Sequence, residues 1–287
     1  MFDASELETI ISEYKAGASL AQLGKKYGHD GRTIRKELIQ RGVEIRSRNE
    51  QNKYSPQNRR IYTLNDNYFN NIDDPNKAYV LGFLAADGTV SLTRGSLKIG
   101  LSSVDREFLE ALRDIWESNY PIKDYETKNG YQVSELTVRS AMFLSDLAKY
   151  NIIERKTYSF SFPYNIPEEY YIDFIRGYWD GDGTICLVGG YARASLCSYR
   201  KEVLQSILDI LEQKYQIPPV AIRLKKGSNT YYFHYSQHSA EKLYHAFYDN
   251  VDNLTIGLTR KYEKFKSIFG EINSHEPATS EMEEKIV

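Results

Sequence analysis

A segment of twelve residues occurs twice in this chain, and the two copies align without a gap 95 positions apart. Tyr79–Val90 reads YVLGFLAADGTV, and Phe174–Ile185 reads FIRGYWDGDGTI. Small residues lie four positions apart in each copy: Gly82 and Ala86 in the first, Gly177 and Gly181 in the second. Residues at this spacing share one face of a helix. The pattern therefore predicts two helices whose small-residue faces pack backbone against backbone.

The elements predicted around each copy follow the same order: helix, two strands, helix, two strands, helix. In the first copy the predicted strands are Thr89–Leu92, Leu97–Ser102, Ile122–Thr127 and Gln132–Val138. In the second copy they are Thr184–Val188, Ala192–Ser198, Val220–Lys225 and Thr230–Ser236. A repeat of this length indicates two related subdomains, not a solenoid unit. The predicted fold class is α+β, a pseudo-twofold duplicated αββαββα core with subdomains at residues 64–163 and 164–270.

Each predicted motif helix ends in Asp-Gly, at Asp87-Gly88 and Asp182-Gly183. The glycines are typical of a left-handed helix C-cap. The carboxylates oppose the helix dipole by roughly 0.3–1 kcal/mol and repel each other when brought together. A divalent cation would remove that repulsion, because Mg²⁺ takes oxygen ligands from one or two carboxylates and from phosphates. Metals between carboxylates can stabilise the attacking and leaving oxygens of an in-line phosphodiester displacement.

The first 45 residues predict a small, separate all-α domain. Apolar spacing indicates helices at Ser5–Lys15, Leu20–Tyr27 and Gly31–Arg41, with Ser19 and Asp30 as N-caps. Two short helices, a glycine-containing turn and a basic third helix are typical of a helix-turn-helix DNA-binding domain. The third helix has the apolar stripe Ile34, Leu38 and Ile39 and the outward positions Arg32, Thr33, Arg35 and Lys36. A helical bundle with a solvated charged face is the alternative.

The net charge of −2 hides a basic N-terminal region. Residues 19–62 carry eleven lysines and arginines against four acids, whereas residues 271–287 carry five glutamates and one lysine. This asymmetry indicates a local contact with a polyanion. Residues 46–63 are interpreted as a basic linker that tracks phosphates or merely keeps the chain soluble, and residues 271–287 as a disordered acidic tail. The sequence shows no membrane span or secretion signal and has two cysteines, which favours the cytoplasm or an organelle.

The segments VLGFLAADG (Val80–Gly88) and IRGYWDGDG (Ile175–Gly183) resemble the two motifs of single-chain LAGLIDADG homing endonucleases. The resemblance covers residues 64–270, and the N-terminal segment is similar to the helix-turn-helix appended to some phage and intron members. It implies that the motif helices form the interface between the subdomains and that Asp87 and Asp182 bind Mg²⁺ at the cleavage centre. It also implies that two four-stranded antiparallel sheets form a saddle over the DNA major groove. A monomer of this kind cuts both strands of a long asymmetric site and leaves short 3′ overhangs.

The resemblance further implies a lysine at each active centre. Lys156 in ERKTYSF and Lys261 in TRKYEKF occupy matching places. A lysine there could polarise the attacking water or stabilise developing phosphate charge, and a solvated surface lysine is the alternative. One position departs from the family pattern, because the first acidic residue is Asp180 in the second copy but Ala85 in the first. The family's metal ligand is the last aspartate, so we expect the departure to be tolerated and the two halves to be asymmetric.

Strand alternation selects candidates for contact with DNA, because successive side chains point to opposite faces of a sheet. The polar positions opposite the apolar ones are Lys98, Ser102, Arg193, Ser195, Arg223, Lys225, Tyr232 and His234. In the strand predicted at Val220–Lys225, the residues expected to be buried are Val220, Ile222 and Leu224. Arginine and lysine can read guanine edges or hold phosphates, whereas a lone histidine is more often structural.

Three functions follow from these patterns. The first is a monomeric, Mg²⁺-dependent, site-specific endonuclease that cuts double-stranded DNA without an obligate protein partner. The second is a DNA-binding regulator on the same scaffold. Loss of the last aspartate of either motif would have favoured this function, but Asp87 and Asp182 are both present. The third is an intron maturase, against which the helix-turn-helix counts. A calcium loop starting at Asp180 is disfavoured because Tyr191 stands where an EF-hand requires glutamate, and a glycosidase carboxylate pair would not explain the N-terminal helices.

Overall fold

The computed structural model describes residues 2–47, 50–51, 61–249 and 256–270. The chain divides into two compact units, residues 1–62 and 63–287. Most of the predicted linker (residues 48–49 and 52–60) and the whole acidic tail lie outside the described residues. Among the helices in the described ranges, none is long and apolar enough to cross a membrane.

The N-terminal unit contains the helices α1 (Ala4–Lys15), α2 (Leu20–Tyr27) and α3 (Gly31–Gln40). Ser19 forms a reciprocal capping box at the start of α2, and the Asp30 carboxylate accepts a hydrogen bond from the Arg32 amide at the start of α3. The core shared by the three helices consists of Phe2, Leu7, Ile10, Tyr14, Leu23, Ile34 and Leu38. The predicted helices and caps are confirmed. Ile39, expected in the apolar stripe, is exposed, because it lies about 100° around the helix from Leu38.

Arg46, which charge alone assigns to the linker, belongs to this helical unit. Its guanidinium lies 4.0 Å from the centre of the Tyr14 ring and donates hydrogen bonds to the carbonyl oxygens of Tyr14 (2.6 Å) and Ala18 (2.7 Å). The side chain of Gln51 also donates to the Gly17 carbonyl at 3.3 Å. Arg46, at the predicted start of the linker, therefore packs against the helical unit, and its guanidinium adds hydrogen bonds to carbonyls at and just beyond the end of α1.

The second unit repeats one set of elements. The first repeat comprises α4 (Pro75–Asp87), β1 (Thr89–Ser91), β2 (Ser96–Ser102), α5 (Arg106–Ile115), β3 (Ile122–Glu126), β4 (Gln132–Arg139) and α6 (Ala141–Lys149). The second repeat comprises α7 (Tyr171–Asp182), β5 (Gly183–Val188), β6 (Tyr191–Ser198), α8 (Lys201–Tyr215), β7 (Arg223–Leu224), β8 (Tyr231–Ser236) and α9 (Gln237–Tyr248). A further helix, α10 (Thr259–Phe269), follows, and short 3₁₀ turns lie at Ser103–Asp105, Lys156–Tyr158 and Glu168–Tyr170.

Each repeat folds into one four-stranded antiparallel sheet. The strand orders are β1-β2-β4-β3 and β5-β6-β8-β7, so the topology is the same in both repeats. The helices α4 and α7 pack against each other, and their buried residues join those of both sheets in one hydrophobic core. The predicted α+β fold with a duplicated αββαββα core is confirmed.

The prediction is wrong for the third strand of the second repeat. Only Arg223–Leu224 forms β7, which pairs with two residues of β8. Pro218 and Pro219 precede this segment and have no amide donor for a sheet, so only a short edge strand forms. Leu224, expected to be buried, is 56% exposed, since a two-residue strand does not hold it against the core.

Candidate active site at the crossing of the motif helices

The motif helices α4 and α7 cross at two glycines. A Cβ atom at Gly82 would overlap the carbonyl oxygen of Phe174, and a Cβ atom at Gly177 would overlap the carbonyl oxygen of Tyr79. Each glycine thus lies against the residue three positions before the other glycine, so the same contact occurs in both directions about a pseudo-twofold axis. The close backbone packing predicted from the small residues is confirmed.

The second predicted pair of small residues lies further along the same interface. A Cβ atom at Gly181 would collide with the methyl group of Ala86 and would lie 3.3 Å from Oδ2 of Asp87. The absence of a side chain at Gly181 therefore lets the C-terminal ends of α4 and α7 approach each other, with the Asp87 carboxylate at the point of approach.

The chain leaves both motif helices in an extended conformation. Gly88 has φ −68° and ψ 137°, and Gly183 has φ −94° and ψ 164°, so the predicted left-handed caps are wrong. Each glycine leads directly into the strand that follows it. Glycine is needed for space instead, because a Cβ atom would press on the Leu84 carbonyl oxygen at Gly88 and on the Trp179 ring at Gly183.

Asp87 and Asp182 end the two helices. Asp87 reaches the surface and Asp182 is half-buried, but the surrounding protein displaces enough water to raise the pKa of both carboxyl groups. The pKa of Asp182 rises to about 6, first through this loss of hydration and then through the negative charge of Asp87. The sequence predicts that the two carboxylates lie close together, and the approach of the two helix ends at Gly181 and Asp87 is consistent with this prediction.

Lys156 and Lys261 extend into the same region, and each is only 7% exposed. The Lys156 ammonium donates a hydrogen bond to the carbonyl oxygen of Ala86 at 3.0 Å, and the Lys261 ammonium donates to that of Gly183. Burial lowers the pKa of both lysines. The charges of Asp182 and Asp87 oppose this for Lys156, and those of Asp180 and Asp87 oppose it for Lys261. These are not solvated surface lysines.

Sequence reasoning missed Asp105, a buried carboxylate beside this site. It accepts hydrogen bonds from Nε of Arg260 at 3.1 Å and from Nη2 at 2.9 Å. Its charge contributes to the raised pKa of Asp87, and its partner Arg260 immediately precedes Lys261. No local pattern could have indicated a pair whose members lie 155 positions apart.

Lys98 and Ser102 lie on the exposed face of the first sheet, on the side that strand alternation predicts. Glu135 of β4, which was not predicted, lies on that face too, because its neighbour across the strand pair is Gly100. Its carboxylate is 3.5 Å from Nζ of Lys98 and accepts a hydrogen bond from the Tyr125 hydroxyl at 3.3 Å. The exposed face of the first sheet therefore carries the acid Glu135 beside the hydrogen-bond donors Lys98 and Ser102.

The second sheet brings its candidates to one face. Across neighbouring strands Ser195 pairs with His234 and Arg223 pairs with Tyr232, while Arg193 precedes Ser195 by two positions and shares its side. Lys225 follows β7 and lines a groove of about 400 Å³ that reaches Asp182. Residues lining this groove include Thr184, Ser195, Cys197, Lys225 and Tyr232. Loss of hydration and the charges of Arg193 and Arg223 lower the pKa of His234.

In the N-terminal unit, the four residues predicted to face outward from α3 do so. Arg32, Thr33, Arg35 and Lys36 are all exposed, on the side of the helix opposite the buried Ile34 and Leu38. The contacts of these residues and of the sheet candidates with DNA remain predictions.

The donor set fits a hard divalent cation. Within the described residues, no three His, Cys, Asp or Glu side chains form a group that could hold a metal ion. Asp87 and Asp182 are two carboxylates whose raised pKa values a nearby cation would lower. This fits Mg²⁺, which is held by one or two carboxylates and takes its remaining ligands from water and phosphate oxygens.

The sequence matches the family model described as LAGLIDADG-like domain over residues 74–150 and 169–268. No curated relative matches it. The solved structure of the homing endonuclease I-WcaI bound to its DNA recognition sequence aligns with a TM-score of 0.48 and 14% identity, covering 69% of this chain and 90% of that one. The LAGLIDADG meganuclease I-CpaMI bound to uncleaved DNA aligns with a TM-score of 0.49 and 12% identity, covering 70% and 92%. Full-length DUF199/WhiA from Thermatoga maritima aligns with a TM-score of 0.44 and 15% identity, covering 71% and 63%.

Proposed function

This chain belongs to the LAGLIDADG-like domain family, and from that premise we propose that it is a site-specific homing endonuclease that hydrolyses one phosphodiester bond in each strand of double-stranded DNA. The observation that carries the proposal is the pair of helix ends. Each ends in an aspartate, Asp87 or Asp182, and beside each end a buried lysine donates to one backbone carbonyl, Lys156 to that of Ala86 and Lys261 to that of Gly183. Because one chain supplies both halves of the site, a single copy suffices for cutting both strands.

Asp87 and Asp182 would hold the divalent cation, for which we propose Mg²⁺. When bound, Mg²⁺ supplies positive charge that stabilises the attacking and leaving oxygens of an in-line displacement at phosphorus. Lys156 and Lys261 add fixed positive charge that orients the attacking water or stabilises the charge that develops on the phosphate. Burial strengthens their effect, because electrostatic interactions are stronger where water is excluded.

The exposed faces of the two sheets would lie along the major groove of the target and read its base edges. The residues on these faces differ between the halves, with Lys98, Ser102 and Glu135 on the first sheet and Arg193 and His234 on the second. Different side chains at related positions select different bases, so the target is asymmetric. Arg32, Thr33, Arg35 and Lys36 of α3 would extend the recognised site by a second contact with the duplex.

The direct test is cleavage of a duplex rebuilt from the two sequences that flank this gene, joined without it. Purified protein is incubated with this duplex in Mg²⁺, and the ends of any product are mapped. A discrete double-strand cut with short 3′ overhangs is expected, together with its loss in a metal chelator. The matched variants Asp87→Asn and Asp182→Asn should retard the duplex on a gel as the wild type does, with cleavage reduced at least about a hundred-fold.

Two results would count against the proposal. An Asp182→Asn enzyme that cuts as fast as the wild type would show that the motif carboxylate is not part of the reaction. A duplex that is retarded but left intact in Mg²⁺ would favour the DNA-binding regulator. In that case a splicing assay on a flanking intron would separate the regulator from the maturase.

A further inference from the structure

The segment that leads into α10 is held by three residues of the motif helices. The backbone amide of Leu258 lies 3.2 Å from the Tyr79 hydroxyl and 3.4 Å from Oδ2 of Asp180, and the Tyr79 hydroxyl donates to the same Oδ2 at 2.6 Å. The Arg176 guanidinium lies 4.2 Å from the centre of the Tyr79 ring and donates to the carbonyl oxygen of Ile256 at 3.4 Å. We call Tyr79, Arg176 and Asp180 the clamp.

The clamp acts close to Lys261 along the chain. Leu258 is the N-cap of α10, and its carbonyl oxygen accepts the hydrogen bond of the Lys261 amide at 2.9 Å. The same residue is therefore fixed by the clamp through its amide and fixes the first turn of α10 through its carbonyl. Lys261 reaches the Gly183 carbonyl from that first turn, so the position of its ammonium depends on the position of Leu258.

The clamp is present in only one half of the pseudo-twofold core. At the positions 95 residues away, Phe174 stands in place of Tyr79, Leu81 in place of Arg176 and Ala85 in place of Asp180. All three of these counterparts are buried and apolar. Lys156 therefore lacks this polar support on the other side of the axis, and the two lysines are held by different means.

We propose that Tyr79, Arg176 and Asp180 are positioning residues for Lys261, and that cleavage of the DNA strand served by Lys261 depends on them while cleavage of the other strand does not. This inference rests on the proposed endonuclease activity. It also accounts for an acid at the first acidic position in the second motif alone, since in the other half Phe174, which has no hydroxyl, stands at the position of Tyr79.

The first test compares Tyr79→Phe with Tyr171→Phe. Tyr79→Phe keeps the ring beneath Arg176, removes the hydroxyl and reproduces the Phe174 of the other half. Tyr171→Phe is the matched control, because it also removes a hydroxyl from a buried tyrosine of a motif helix, one that donates to the Tyr164 carbonyl at 3.3 Å. Each strand of the cognate duplex is labelled separately, and Lys261→Ala identifies the strand that Lys261 serves.

With Tyr79→Phe, that strand should be cut between about ten- and a hundred-fold more slowly, the scale of loss from misplacing a catalytic group. The other strand should change by less than about two-fold, so nicked duplex accumulates. Asp180→Ala should behave like Tyr79→Phe, whereas Asp180→Asn, which keeps an oxygen acceptor, should restore most of the strand balance. An equal fall in the cleavage rate of both strands, or no fall on either strand, would refute the proposed positioning role of the clamp.

A second readout does not depend on cleavage. In hydrogen exchange, the amides of residues 256–262 should exchange faster in Tyr79→Phe than in the wild type, and those of residues 152–158 should not change. Unchanged exchange at residues 256–262 would refute the clamp even if cleavage falls. A wild-type protein that cuts no duplex would instead refute the proposed function, and the strand-specific role would fail with it.

Discussion

Replacing Asp182 by asparagine should stabilise the metal-free protein while abolishing cleavage. The pKa of this carboxyl group rises from 3.8 to about 6 on folding, so between these pH values the folded state binds more protons than the unfolded state. Stability then falls as pH rises through this range, and the full penalty is present above about pH 6. At about 1.4 kcal/mol per pH unit, the upper limit is about 3 kcal/mol. Because Asp182 is only half-buried, we expect a gain of between about 1 and 3 kcal/mol.

The assay is thermal unfolding in a metal chelator. At pH 7.5, Asp182→Asn should raise the Tm of the core by between about 2 and 12 °C, at about 2–4 °C per kcal/mol for a unit of this size. Near pH 4 the gain should vanish, because the wild-type carboxyl group is then protonated. In Mg²⁺ the wild type should recover stability, by about 2.7 kcal/mol at a hundred times the dissociation constant, whereas the variant should recover less.

The control is Asp114→Asn, which removes a carboxylate whose side chain is 75% exposed and should change stability by less than about 0.5 kcal/mol. An Asp182→Asn protein that is less stable than the wild type at pH 7.5 without metal would refute the reasoning. So would a gain that is the same at pH 4 and pH 7.5, because it would not arise from ionisation.

Three further predictions concern packing and recognition. Gly177→Ala should destabilise the core by about 2 kcal/mol or more in chemical denaturation, because the overlap with the Tyr79 carbonyl outweighs the helix propensity of about 1 kcal/mol that alanine adds; any stabilisation would contradict this. Removing both Arg35 and Lys36 should weaken DNA binding and, if each contacts a phosphate, reduce the slope of log K against log salt by about 1.8, measured by fluorescence anisotropy. Glu135→Gln should change the preference at one base pair by about 1–3 kcal/mol, since a carboxylate accepts from the cytosine amino group; an unchanged preference in a cleavage screen would contradict it.

The features predicted from the sequence were those that local spacing or duplication encodes. The small residues at positions 82, 86, 177 and 181 correctly predicted a close helix crossing. Ser19 and Asp30 correctly predicted where two helices begin. The glycines that follow the motif helices are needed, but not for the left-handed caps that the sequence predicts. Gly88 and Gly183 are required by the Leu84 carbonyl and the Trp179 ring, and no local pattern distinguishes that need from a left-handed cap.

The remaining features depend on contacts between distant parts of the chain. Tyr79 and Leu258 lie 179 positions apart, and Asp105 and Arg260 lie 155 apart. Charge alone places Arg46 in the linker, because its hydrogen bonds to the carbonyls of Tyr14 and Ala18 form only in the folded chain. Charge and periodicity describe a residue and its neighbours in sequence, whereas burial beside a specific acceptor is a property of the folded chain.

The two halves of the core can tolerate a carboxylate at the first acidic position only where partners exist. Asp180 accepts hydrogen bonds at Oδ2 from a hydroxyl and a backbone amide, whereas Ala85, its counterpart, is buried at a position where Phe174 replaces Tyr79. Ala85→Asp should therefore bury an unpaired carboxyl group and destabilise the core by about 3 kcal/mol or more. Adding Phe174→Tyr supplies the missing hydroxyl, and the double variant should recover at least about 1 kcal/mol in a double-mutant cycle. Effects that add to within about 0.5 kcal/mol would show that the tyrosine hydroxyl is not what allows an acid at this position.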